Sequence, residues 1–144
     1  MAGALMCAAV LSGCATSPVE VAGPVQGPAE CRRLLDGLPD MVAGQARRKV
    51  SPRDALAAAW GDPAIVLRCA VPEPAALRPS SPCAEVDQVG WLAERQQGSY
   101  RFSTIGRSTV VQMQVPYDYE PAADALVDVA AAIRHAVPEL EPCV

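Results

Sequence analysis

The chain has 144 residues, with twelve Lys and Arg against sixteen Asp and Glu and a net charge of −4. That length suits one domain, and the lack of a basic stripe excludes nucleic acid as a partner. An acidic domain is also repelled by an anionic membrane, so anchoring there requires lipid rather than charge. Hydrophobic residues make up 51% but aromatics only 4%. Because alanine buries little area, the core must lean on Trp60, Trp91, Tyr100, Phe102 and aliphatic strand residues.

Met1 to Val10 (MAGALMCAAV) is apolar and runs into Leu11-Ser12-Gly13-Cys14. It is too short for a bilayer span of ~20 residues and fits a signal-peptide core of roughly 7–15. Small residues ahead of a cysteine are what a lipoprotein signal peptidase needs. Residues 1–13 are therefore expected to be a lipoprotein signal peptide, with Cys14 the lipid-carrying first residue of the mature chain. The alternative is an ordinary secretory signal cleaved nearby. No Lys or Arg precedes the apolar run, so a basic segment upstream of Met1 is expected. A diacylglyceryl group carries two acyl chains, enough for stable anchoring, which sets the expected address as the outer face of the cytoplasmic membrane. Ala15 to Pro28 is rich in Pro, Gly, Ser and Ala, so residues 14–28 are read as a flexible, lipid-anchored tether.

Residues 29–144 are expected to form a single α+β domain. Ala29 to Leu35 reads as a short helix with Gly37 beyond its end. Arg47-Arg48-Lys49 reads as a solvated turn, three charges being too few for a lipid or polymer site. Ser51-Pro52-Arg53-Asp54 has the form of a capping box and predicts a helix to Trp60, stopped by Gly61. Ala64 to Val71 is the clearest strand, apolar on both faces except for Arg68, which needs a carboxylate or carbonyl partner. Asp62 or a glutamate on a neighbouring strand is the simplest candidate. A proline-rich loop, Pro72 to Pro82, follows. Ala84 to Val89, Trp91 to Gln96, Ser99 to Ile105 and Thr109 to Val115 predict an antiparallel meander, with turns at Gly90, Gln97-Gly98 and Gly106-Arg107. Pro121 to Val137 predicts the longest helix, with Asp124 and Asp128 on its polar side. The expected fold is α+β: an antiparallel sheet of three to five strands packed with helices.

With Cys7 removed and Cys14 acylated, Cys31, Cys69, Cys83 and Cys143 remain. An even number in an exported domain implies two disulfides with three possible pairings. The proline-rich loop favours Cys69–Cys83, and the proximity of domain termini favours Cys31–Cys143.

The segment Trp60-Gly61-Asp62-Pro63 through Leu67-Arg68-Cys69, with Cys83, Trp91 and Gly106-Arg107 downstream, resembles a family of small actinobacterial envelope proteins of unknown function. The likeness covers roughly Cys31 to Cys143. Members usually have Gly after the strand cysteine and an aromatic before the Gly-Arg pair, where this chain has Ala70 and Ile105. The resemblance implies an exported, often lipid-anchored protein and brings no catalytic residue. It also implies gene neighbourhoods that include D-alanine–D-alanine ligation, hence the cell wall.

No nucleophile elbow, H-E-x-x-H motif or phosphate loop is present, and neither a metal nor a cofactor is implied. The single histidine, His135, falls at a helix end that favours positive charge. The remaining constellation is Asp62, Arg68, Trp91, Arg101 and Arg107, in which arginines and an indole can bind a carboxylate or a sugar face. A structural ion pair with a core tryptophan is the competing reading. The expectation is a non-enzymatic envelope lipoprotein that binds or supports an envelope protein or cell-wall component. A small-ligand or cell-wall-fragment binding domain is the alternative, and a carboxylate-based hydrolase is the third.

Overall fold

The computed structural model describes residues 16–143; the signal peptide and Cys14 expected above lie outside them. A two-residue strand β1 (Val19–Glu20) precedes helix α1 (Ala29–Gly37). Short strands β2 (Met41–Val42), β3 (Gln45–Arg48) and β4 (Val50–Ser51) follow, then β5 (Ala57–Trp60) and β6 (Ile65–Cys69). After the proline-rich loop come β7 (Ala84–Val86), β8 (Val89–Gln96), β9 (Ser99–Thr104) and β10 (Val111–Pro116), and helix α2 (Ala123–Ala136). The sheet has eight antiparallel strands in the order β2-β3-β5-β6-β10-β9-β8-β7, more than the three to five expected. Both helices pack on one face of it.

The difference in size arises at residues 45–60. Instead of a turn and a helix, this stretch supplies β3, β4 and the fully buried β5. Alanine favours helices, but tertiary context overrides propensity when both faces of a strand are covered. Ala58 and Trp60 enter the main core under the helices, while Ala57 and Ala59 join Val21 and Val66 on the opposite face. Small side chains there let residues 19–28 lie close against the sheet. Val19 N–H donates to the Lys49 carbonyl at 2.8 Å, Val21 N–H to Ser51 at 2.9 Å, and Leu56 N–H to Pro24 at 2.8 Å. The stretch expected as a flexible tether is therefore bonded to the domain from Ser17 onward.

The meander forms as read, with one shift. Asp87 and Gln88 both hold positive φ, 45° and 65°, the geometry of a two-residue hairpin turn. Gly90, expected to turn, instead lies inside β8, where a Cβ would stand 2.8 Å from Cys83 Sγ. Helix α1 buries Cys31 and Leu34; α2 buries Ala125, Leu126, Val129, Ala130, Ile133 and Ala136. Glu30 ties the start of α1 to the β9–β10 loop by accepting hydrogen bonds from the Ser108 and Thr109 hydroxyls. Asp128, expected on a solvated face, accepts the Ala43 N–H at 2.8 Å and so caps the β2–β3 hairpin.

Both expected disulfide pairings are overturned: the bridges are Cys31–Cys69 and Cys83–Cys143. The sheet order explains this. β6 and β7 are separated by β10, β9 and β8, four spacings of ~4.8 Å each, while bridged Cα atoms must lie within about 7 Å. Cys69 instead points from β6 into the core beneath α1, and the tail after α2 returns to the β7 edge through Gly106. There Leu140 and Glu141 N–H donate to the Gly106 carbonyl at 2.7 and 3.0 Å. Gly106 has φ +72° and its missing Cβ position is filled by the Glu141 carbonyl.

Candidate functional site

The five site residues read from the sequence do not converge. Trp91 is fully buried under the helices, edge-on to Phe102 at 6.4 Å between ring centroids. Asp62 is exposed in the β5–β6 turn, 4.0 Å from Arg48 and not paired with Arg68. Arg107 is a strut: Nη1 donates to the Val137 carbonyl at 2.8 Å and Nη2 to Gln88 at 3.0 Å, joining the end of α2 to the β7–β8 turn. Burial lowers its pKa, and nearby Glu139 acts in the opposite direction.

Arg68 and Arg101 are the two that share a site. They lie on the sheet face away from the helices, where register sets Arg68 across from Gln112 on β10, and Gln114 across from Arg101 on β9. With Gln96, Gln97 and Ser99, these side chains line a cleft of ≈ 690 Å³ walled on one side by Ala22, Gly23 and Pro24. Arg101 is held by its cross-strand neighbour: Nε and Nη2 donate to the two Glu94 oxygens at 3.1 and 3.0 Å, a bidentate pair of the kind guanidinium geometry favours. Arg68 differs. Its Nε donates to the Ala22 carbonyl at 2.6 Å, and among the described residues no carboxylate comes within 4.0 Å of it. Burial lowers its pKa, but a guanidinium keeps its charge in proteins. A half-buried cation without an acidic partner is incompletely compensated.

The cleft therefore offers one free guanidinium edge, several carboxamides and a hydroxyl. These bind carboxylates, peptide amides and sugar hydroxyls, and a volume of this order suits a small ligand. Neither histidine, cysteine nor aspartate lines it. The carboxylate nearest its chemistry, Glu94, is engaged by Arg101; His135 is exposed in the last turn of α2. Among the described residues no group of three or more His, Cys, Asp or Glu is placed to hold a metal. Gln112, Gln114 and Ser99 escape a reading of the sequence because alternation marks them only as solvent-facing. The available signal was their shared face with Arg68 once the two strands pair.

No described helix is long and apolar enough to cross a membrane, and the two disulfides suggest an oxidising, extracytoplasmic setting. The family model described as "Protein of unknown function (DUF3515)" matches residues 1–142. No curated protein and no solved structure matches the chain.

Proposed function

The chain belongs to the DUF3515 family, and from that premise we propose that it is a non-enzymatic binding domain of the cell envelope, held at the membrane by lipid on Cys14. Its ligand carries a carboxylate and peptide amides, as a cell-wall peptide stem does, and lies over β6, β10 and β9. The actinobacterial envelope setting belongs to this proposal, supported by the Trp60–Cys69 segment. The observation that carries the binding reading is the Arg68 guanidinium, half-buried at the cleft without an acidic partner among the described residues.

The test is a calorimetric titration with a free muramyl stem peptide and with its C-terminal amide. The free acid binds saturably and the amide binds weakly. Arg68→Gln weakens the acid about 10- to 100-fold, since a hydrogen bond to a charged group is worth about 1.5–3 kcal/mol. Equal affinity for acid and amide, or an unaffected Arg68→Gln protein, rejects the cleft. A single cross-linked protein partner from membranes, with no saturable peptide binding, replaces the ligand by a protein. For the anchor, a Cys14→Ser chain leaves the membrane fraction; retention there rejects lipidation.

A further inference from the structure

The fold divides the basic run Arg47-Arg48-Lys49. Arg47 turns toward the helices, donating to the Leu38 and Leu35 carbonyls at 3.3 and 3.2 Å and lying 5.7 Å over the Trp60 ring. Arg48 turns the other way, its Nη1 donating to the Gly61 carbonyl and its Nη2 to the Ser17 carbonyl, both at 2.8 Å. Lys49 is exposed, and the parallel register of Val19 with Val50 and Glu20 with Ser51 lays the start of the described chain directly beside it. At this point Pro18, Lys49, Val50, Ser51 and Arg53 surround a concavity of ≈ 560 Å³. Acids stand near it as well: Glu20 pairs in register with Ser51, and exposed Asp54 follows Arg53 in the chain. Lys49 and Arg53 have no acidic partner within 4.0 Å among the described residues.

Ser17 is three residues beyond Cys14. An extended chain covers at most about 3.6 Å per residue, so the Ser17 Cα stands within about 11 Å of that of Cys14. That is close to the Debye length of ~10 Å at 0.1 M salt.

We propose that this rim, Lys49 and Arg53 around Pro18 and Val50, is the face the domain presents to an anionic phospholipid surface, a lipid phosphate lying between Lys49 and Arg53. It rests on the lipid anchor at Cys14 proposed above and adds which side of the domain faces the membrane. Three charges in sequence are too few to hold a chain at a lipid surface. A short covalent leash changes the requirement, because the charges then only have to orient a domain already there. The net charge of −4 is opposite in sign to this pair of cations, so the chain as a whole gains no attraction to the lipid. The wall of the Arg68 cleft, Ala22 to Pro24, lies five residues further along the same segment.

Lys49 is the single lysine of the chain, so amine acylation followed by peptide mapping reads this position alone. The mature protein, extracted from membranes, is reconstituted in vesicles of phosphatidylglycerol or of phosphatidylcholine and labelled with an amine-reactive ester. Labelling of Lys49 is about fivefold slower on phosphatidylglycerol, the difference vanishes near about 1 M salt, and Arg53→Gln brings the ratio toward one. Equal rates on the two vesicles overturn the proposal, and so does equal slowing by glycerol phosphate in solution, which assigns the concavity to free phosphate. Sedimentation with phosphatidylcholine reports the anchor separately. Protein missing from that pellet removes the Cys14 reading and the rim with it, whereas protein that pellets but labels at equal rates on the two vesicles removes the rim alone.

Discussion

Tyr119 donates its hydroxyl hydrogen to the Pro63 carbonyl at 2.6 Å, and Tyr100 donates to Glu120 Oε1 at 2.9 Å. Burial raises the pKa of Tyr119; for Tyr100 the hydrogen bond to Glu120 is the main cause of the same shift. A phenol whose pKa is raised by folding holds its proton longer in the folded chain than in the unfolded one. Its contribution is complete below the unfolded value near 10 and is lost as pH rises through the folded value. Urea midpoints are therefore expected to fall above about pH 10, and Tyr119→Phe to flatten part of that fall; a midpoint that rises there contradicts both shifts. At this scale Arg68 was legible, because a lone guanidinium on an apolar strand needs a partner. Its partner was not: the Ala22 carbonyl belongs to a stretch whose composition reads as linker. Trp91 reads first as core and only second as a binding surface, and the helices that cover its face make it core.

Residues 19–28 behave as an element of the fold although no periodicity marks them. Gly27 shows how closely they pack: a Cβ there would meet Leu56 Cδ1 at 2.7 Å and Ala70 Cβ at 3.0 Å. Gly27→Ala is expected to cost about 1–3 kcal/mol as overpacking against a buried leucine. By contrast, Gly37→Ala at the end of α1, where the nearest atom is Ala132 Cβ at 3.9 Å, is expected to be neutral or stabilising by up to about 1 kcal/mol. Chemical denaturation of both proteins checks the pair, and equal stabilities exclude a packed N-terminal segment. The meander from Val89 to Pro116 and helix α2 were legible from alternation and helical spacing, since each buries one face. The Ala57–Trp60 strand was not, because a short apolar run covered on both faces carries no period to distinguish strand from helix.

Across the whole molecule, two bridges tie different layers. Cys31–Cys69 is fully buried between α1 and β6, whereas Cys83 and Cys143 are partly exposed at the sheet edge. Their sequence separations of 38 and 60 make each worth about 4 kcal/mol in the chain-entropy model, a large part of a typical ~5–15 kcal/mol. Under native conditions dithiothreitol is expected to open Cys83–Cys143 first and to reach Cys31–Cys69 only on unfolding. Timed alkylation with peptide mapping reads the order, and the reverse order refutes the layer assignment. The presence of two disulfides was legible from an even count, but the pairing depends on sheet order, which loop composition does not encode. The pairing that forms joins each cysteine to the next along the chain. In a polypeptide delivered N-terminus first across a membrane, Cys69 is the next thiol to emerge after Cys31, and Cys143 the next after Cys83. An oxidant acting in order of arrival thus makes the native bonds without reshuffling. On the proposed lipidation, the thioether at Cys14 adds a second service to anchoring, since it removes the one earlier thiol of the mature chain that would otherwise capture Cys31.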